Sequence, residues 1–221
     1  AVEPFGGANT GVGGVIRDRE SPGEMKAIAI IQDEHRAITA VIEALRHLVA
    51  EIAAGRMAPD HAVLAALFHY IEEFPERLHH PKEDDFLFAR LRVRRPEVAP
   101  LLDGLSREHV IGGERFVELK AMWERFRTDP AALSVFVEGV AQYAHFHWRH
   151  MRKEEEQVLP LAAEALLPED WDAIDAAFAS NDDPVVGASA GKAFRELYRN
   201  LVAILPPPYG VGPEPVAPRR N

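Results

Sequence analysis

The chain of 221 residues contains no cysteine, which excludes disulfides, iron–sulfur clusters, thiolate metal sites and thiol nucleophiles, so any metal must be held by His and carboxylates. Lys plus Arg number 25 against 35 Asp plus Glu, and the net charge of −10 repels phosphate backbones and anionic lipid heads, so neither nucleic acid nor a membrane surface is an expected partner. With 47% hydrophobic residues the chain can bury a real core, yet no apolar run approaches the ~18 residues of a spanning helix.

Residues 1–20 are Gly-rich and without apolar periodicity, which predicts a flexible lead. No basic-then-apolar signal pattern runs through Gly14, so a cytoplasmic location is the expectation. Ser21 and Glu24 fit a capping box with Pro22 at the first helical position. Long helical patterns follow over about Pro22–Ala54, Asp60–Arg92, Glu97–Arg127 and Pro130–Leu166, punctuated by Gly55, Pro59, Pro96 and Asp129-Pro130. Nothing between them alternates like a strand. Four long helices with short connections predict an all-α fold, an up-down-up-down four-helix bundle over residues 21–166. Residues 167–205 are expected to add two short helices, about Glu169–Ser180 and Ala188–Ile204, before a disordered Pro-rich tail over 206–221.

Inside this frame the apolar stripes are broken by polar residues. In the first helix Ile28, Ile31, Ile38, Ile42, Leu45, Val49 and Ile52 advance by threes and fours, and His35 fills the missing step. In the third, Leu102, Leu105, Phe116, Leu119, Trp123 and Phe126 leave two steps to His109 and Gly112. The fourth runs through Leu133, Phe136, Val140 and Tyr143 into His147, His150 and Glu154, and becomes apolar again at Val158 and Leu161. The second passes from Leu64, Phe68 and Ile71 to Pro75, His79, Glu83 and Phe86 only if the register shifts, a shift that Pro75 and Pro81 can supply as a kink. His80 with Asp84 is the competing register, about 100° away on the side of Glu73 and Glu76, which reads as solvated.

A buried polar group without a partner costs a few kcal/mol and a bare carboxylate costs more, so breaches on four helices call for a common compensation. His79 with Glu83 and His150 with Glu154 are each spaced by four, placing imidazole and carboxylate on one face a turn apart. The donor count then closes on two metals. Four imidazoles and two bridging carboxylates give each ion two nitrogens and two oxygens, and an oxo or hydroxo bridge makes five ligands, with one octahedral position left for a small molecule. This donor chemistry suits iron or manganese better than zinc.

With these residues in hand, the sequence resembles the haemerythrin-like, HHE cation-binding family. The resemblance rests on the order His, His-x-x-x-Glu, His, His-x-x-x-Glu and on its surroundings. These are Asp33-Glu34-His35-Arg36, the run from His79-His80-Pro81-Lys82-Glu83-Asp84-Asp85 to Phe88, Glu108-His109, and the run from His150 to Pro160. It covers about Met25 to Leu166, and Pro168 to Gly187 is similar to a C-terminal extension of some bacterial relatives. The resemblance implies a non-haem di-iron centre with His35, His79, His109 and His150 as terminal ligands and Glu83 and Glu154 as bridges. Oxygen-carrying haemerythrins use His-x-x-x-His on the third helix, whereas Gly113 stands four residues after His109 here. The iron–sulfur repair proteins of the family carry a Cys-bearing N-terminal domain, and this chain has no Cys.

Two functions follow as expectations. One is a binding protein whose di-iron centre takes up dioxygen or nitric oxide, or senses or stores iron. The other is an enzyme that reduces nitric oxide or decomposes peroxide at the same centre. A helical interaction module without metal must explain six polar groups in the core stripe. His147 and Tyr143 stand one and two turns before His150 on the same face, and either reads as a fifth ligand, an outer hydrogen-bond donor or a redox partner, or plainly as a hydrogen-bonded His and a buried aromatic. His47, His61, His69 and His145 read as ordinary, as do the acids that follow Glu83 and Glu154.

Overall fold

The computed structural model describes residues 25–180, all helix and connection. Five helices account for it: α1 (Lys26–Ala53), α2 (residues 61–94), α3 (Ala99–Thr128), α4 (residues 133–165) and α5 (Pro168–Ala179). The sequence-expected capping box at Ser21 and Glu24, the helix at 188–204 and the tail at 206–221 lie outside the described residues.

The turns follow from local chemistry. Ile52 and Glu51 carbonyls accept from Gly55 and Arg56 at the end of α1, a closure that needs the left-handed φ of +69° at Gly55. Asp60 then caps α2, its side chain accepting from the amides of Ala62 and Val63. Asp129 caps the short 3-10 turn Pro130–Ala132 that leads into α4. Such short links force neighbours to run antiparallel. α1 packs on α2 and α4, and α3 packs on α4 and α2, which closes the expected four-helix ring.

The apolar core is divided in two. One cluster, with Ile38, Leu45, Phe68, Trp123 and Phe136, fills one end of the bundle. The other, with Ile31, Phe88, Leu102, Leu159 and the α5 residues Trp171, Ile174 and Phe178, fills the opposite end. The polar breaches lie between them. α5 is fastened over its end by three contacts: Asp175 accepts from the Ala27 amide at 2.8 Å, Lys82 donates to the Ala177 carbonyl at 2.8 Å, and Arg94 donates to Asp170 at 2.7 Å.

Two helices depart from the α period. In α2, Glu72–His79 and Glu83–Phe88 are wound as π-helix, and in α4 so is Glu154–Val158. Each stretch contains a proline or lies within two residues of one: Pro75, Pro81 and Pro160. Proline has no N–H to donate and its ring crowds the carbonyl four residues back, so the wider turn relieves both faults. This is the register shift expected in α2. It also corrects one expectation: Phe86 is 38% exposed, and the extra residue in the turn buries Leu87 and Phe88 instead. The shift in α4 was not expected, and there Val158, Leu159 and Ala162 are buried while Leu161 is only half-buried.

Candidate metal centre

Each of the first four helices delivers its breach to one place between the two apolar clusters. His35, His79, Glu83, His109, His150 and Glu154 are all buried, Glu83 completely. The histidines stand in two pairs, His35 with His79 at 5.0 Å between ring centroids and His109 with His150 at 4.6 Å. Between the pairs lie the carboxylates. Glu83 Oε1 faces His35 Nε2 at 3.6 Å and His79 Nε2 at 3.5 Å, while its Oε2 faces His109 Nε2 at 3.5 Å. Glu154 divides in the same way, with Oε2 at 3.5 Å from His35 Nε2 and Oε1 at 3.4 and 3.2 Å from Nε2 of His109 and His150. Each carboxylate therefore spans both pairs. Both also begin a π-helical stretch, the kind of local distortion that often marks a functional site.

None of these inward atoms is satisfied by hydrogen bonding. Nε2 of the four histidines and both oxygens of Glu83 and Glu154 are buried without a partner among the described residues. Eight orphaned donors at one point would cost far more than a domain can spare. They fit metal ions well. Nitrogen and oxygen ligands at ~2.1 Å on adjacent positions of one ion sit roughly 3 Å apart, close to the spacing found here.

The outward atoms tell the complementary story. Nδ1 of His79 donates to Glu34 at 2.8 Å, that of His109 to Asp84 at 2.8 Å, that of His150 to Glu108 at 3.1 Å and that of His35 to Glu155 at 3.1 Å. The carboxylate on α1 serves α2, that on α2 serves α3, that on α3 serves α4, and that on α4 returns to α1. Such partners fix the tautomer and aim Nε2 inward, and they raise ligand basicity. All four sit next to a ligand in sequence; Asp84 and Glu155 read there as ordinary acids, and Glu34 and Glu108 as surroundings of the motif with no role of their own.

The electrostatics ask for positive charge. Burial alone would lower the histidines, but the carboxylates outweigh it, lifting His35 to about 10 through Glu155 and Glu83. The same contest lifts His109 to about 12 through Asp84, Glu154 and Glu83, and His150 to about 9 through the charge of Glu154 and the bond to Glu108. Glu108, bonded to His150, is drawn down to about 2. Without ions His35, His109 and His150 hold the protons that offset Glu83 and Glu154, and metal would displace those protons.

His80 requires a correction. It is buried at 5% exposure, because the π-helical turns swing it inward from the solvated side where the α period would place it. Its ring lies 4.5 Å from that of His109 and 6.0 Å from that of His147. Asp84, its partner in the competing register, instead accepts from His109 and from Ser106. His147 is buried with neither ring nitrogen partnered, packed on Tyr143 at 4.3 Å, and the Tyr143 hydroxyl donates to Glu76 at 3.3 Å. His69 and His145 are exposed, and His47 and His61 are half-buried away from the centre.

Residues 26–162 match the family model of the hemerythrin HHE cation binding domain, and the chain belongs to that family. No curated protein and no solved structure matches it. The matched segment takes in every residue of the cluster and ends before α5. The buried His and Glu cluster of this domain is a metal-binding site of a kind that typically takes iron. Among the described residues no helix is long and apolar enough to cross a membrane.

Proposed function

We propose that the cluster holds two iron ions, one between His35 and His79 and one between His109 and His150, with Glu83 and Glu154 shared by both. The carrying observation is the division of each carboxylate's two oxygens between the two histidine pairs. Manganese suits the same donors, and zinc suits a paired site of this kind less well. When bound, a pair of ferrous ions supplies electrons and a coordination site to a small molecule.

On this reading the chain is a binding protein for a diatomic ligand, dioxygen or nitric oxide, or a sensor or store of iron. Its own residues fix the chemistry around that ligand. The four outer carboxylates hold the imidazoles in one orientation, and the two apolar clusters exclude bulk water from both ends. A second reading is favoured by the half-buried Glu76 with the buried Tyr143 and His147, a polar group beside the centre suited to moving a proton. It makes the protein an enzyme that reduces nitric oxide or decomposes peroxide.

Anaerobic iron loading followed by titration with nitric oxide, dioxygen or peroxide separates the two. A stable adduct that reverses on removing the gas supports the binder. Sustained consumption of nitric oxide or peroxide, at many turnovers per iron, supports the enzyme and contradicts the binder.

A further inference from the structure

The four outer hydrogen bonds are alike in chemistry but not in exposure. The side chains of Glu155, Asp84 and Glu108, which accept from His35, His109 and His150, are 42%, 29% and 24% exposed, whereas that of Glu34, which accepts from His79, is 4% exposed. A carboxylate that dry costs free energy unless its surroundings compensate it, and once compensated its hydrogen bond is stronger than the same bond in water. α5 lies over this quarter of the centre. It packs along α1 and along the Glu83–Phe88 stretch of α2, and its fully buried Phe178 sets its ring edge-on to that of His79, with centroids 6.4 Å apart. From this we infer, on the two-ion reading above, that α5 belongs to the metal centre: Phe178 and Lys82 are positioning residues that keep the Glu34–His79 bond out of water and so hold His79 more firmly than the other three imidazoles.

Lys82 is the latch. The last carbonyls of a helix have no partner within it, and Lys82 donates to one of them, that of Ala177, at 2.8 Å and to the Ser180 hydroxyl at 2.9 Å. Burial pulls the Lys82 ammonium down from its ordinary value and the charge of Glu34 opposes this, so one cation serves both the end of α5 and the buried carboxylate. The opposite side of the bundle is built differently. Each bridging glutamate follows a lysine, Lys82 before Glu83 and Lys153 before Glu154. Lys153 donates to the outer carboxylate itself, Glu108, whereas Lys82 gives hydrogen bonds to α5. The start of α5 is held separately, by Arg94 on Asp170. This closure also comes from outside the segment that the family model describes, which ends at residue 162.

Exchange of the imidazole N–H protons with deuterium reads this without reference to turnover. The full chain, loaded with ferrous iron, should give four iron-shifted exchangeable proton resonances, one from Nδ1 of each ligand histidine. In the wild type one of them should exchange about 10-fold or more slowly than the other three, and Glu34→Gln should remove that slow resonance, which assigns it to His79. Phe178→Ala and Lys82→Met should bring it to the rate of the others with both ions still bound. Lys82→Arg, which keeps the charge and can still donate to the Ala177 carbonyl, should preserve the slow proton. Arg94→Gln, which loosens α5 at its far end, should preserve it too, so a general loss of stability is not what speeds the exchange. A proton that stays slow in Phe178→Ala or in Lys82→Met would overturn the role of that residue. Four protons exchanging alike in a wild type with two ions bound would overturn the place of α5 in the centre and leave the two-ion reading standing. Only trace metal on the wild type would overturn both.

Discussion

Glu34 on α1 accepts a hydrogen bond from Nδ1 of His79 on α2 at 2.8 Å, across 45 residues of chain, and both are buried. The relation repeats around the bundle, so each helix aims the next helix's ligand. Removing the carboxylate should leave the helix intact and mis-aim the imidazole. Glu34→Gln is therefore expected to weaken metal binding about 10- to 100-fold with an unchanged far-ultraviolet circular dichroism spectrum. Titration against a competing chelator checks it, and an affinity within twofold of wild type would show that the bond is incidental.

The metal-free protein should be most stable near pH 6.5. His35, His150 and His109 are held up at about 10, 9 and 12, above an unfolded value of ~6.5. Their contribution is complete below ~6.5 and is lost as pH rises through the folded values. His80 is pushed the other way, down to about 4, chiefly by burial. Its contribution is complete above ~6.5 and is lost as pH falls towards 4. Iron needs deprotonated imidazoles, so loading strengthens as pH rises and should cancel the alkaline decline. Melting temperatures of both forms from pH 5 to 10 measure this; a metal-free protein equally stable at pH 6.5 and 9.5 would contradict the charge balance described above.

Gly112 stands where α3 meets His147. A Cβ there would come within 3.4 Å of both His147 and Phe146. Gly112→Ala should be tolerated, the gain in helix propensity of ~1 kcal/mol offsetting the tight contact. Gly112→Leu should force both rings aside and cost about 1–3 kcal/mol in chemical denaturation. A leucine variant as stable as wild type would mean that α3 and α4 separate freely.

Fold and metal are expected to be coupled. Two apolar clusters hold the bundle away from the centre, so the metal-free chain stays helical. The unsatisfied atoms of Glu83, Glu154 and the histidines each cost a few kcal/mol, against a total stability of ~5–15 kcal/mol. Iron loading should therefore raise the melting temperature, by an amount that grows with free iron over its dissociation constant. Identical melting curves with iron confirmed on the chain would place the ions at the surface.

The all-α bundle was legible in the sequence because its signals are local. The 3.6-residue stripe marks the core face of each helix, and a His or Glu in that stripe stands out against apolar neighbours. The structure accordingly brings together His35, His79, Glu83, His109, His150 and Glu154. Glu34, Asp84, Glu108 and Glu155 were not legible as partners, because periodicity sorts residues on their own helix and says nothing about which neighbour a flanking acid meets. Their one available signal is adjacency: each stands beside a ligand in the chain. His80 and Phe86 were misplaced for another reason. Both were put on a face by counting at the α period, and the π-helical turns around Pro75 and Pro81 change that count.

The central claim, two ions held in the core by six residues from four helices, is tested most directly by metal analysis after anaerobic iron loading and desalting. Wild type should retain ~2 ions per chain, the number that bridging carboxylates of this kind support in bundle cores. His79→Ala should lose far more metal than His80→Ala, because it removes one of two imidazoles at its ion. Trace iron, manganese and zinc on the wild type, or a larger loss in His80→Ala than in His79→Ala, would contradict the account.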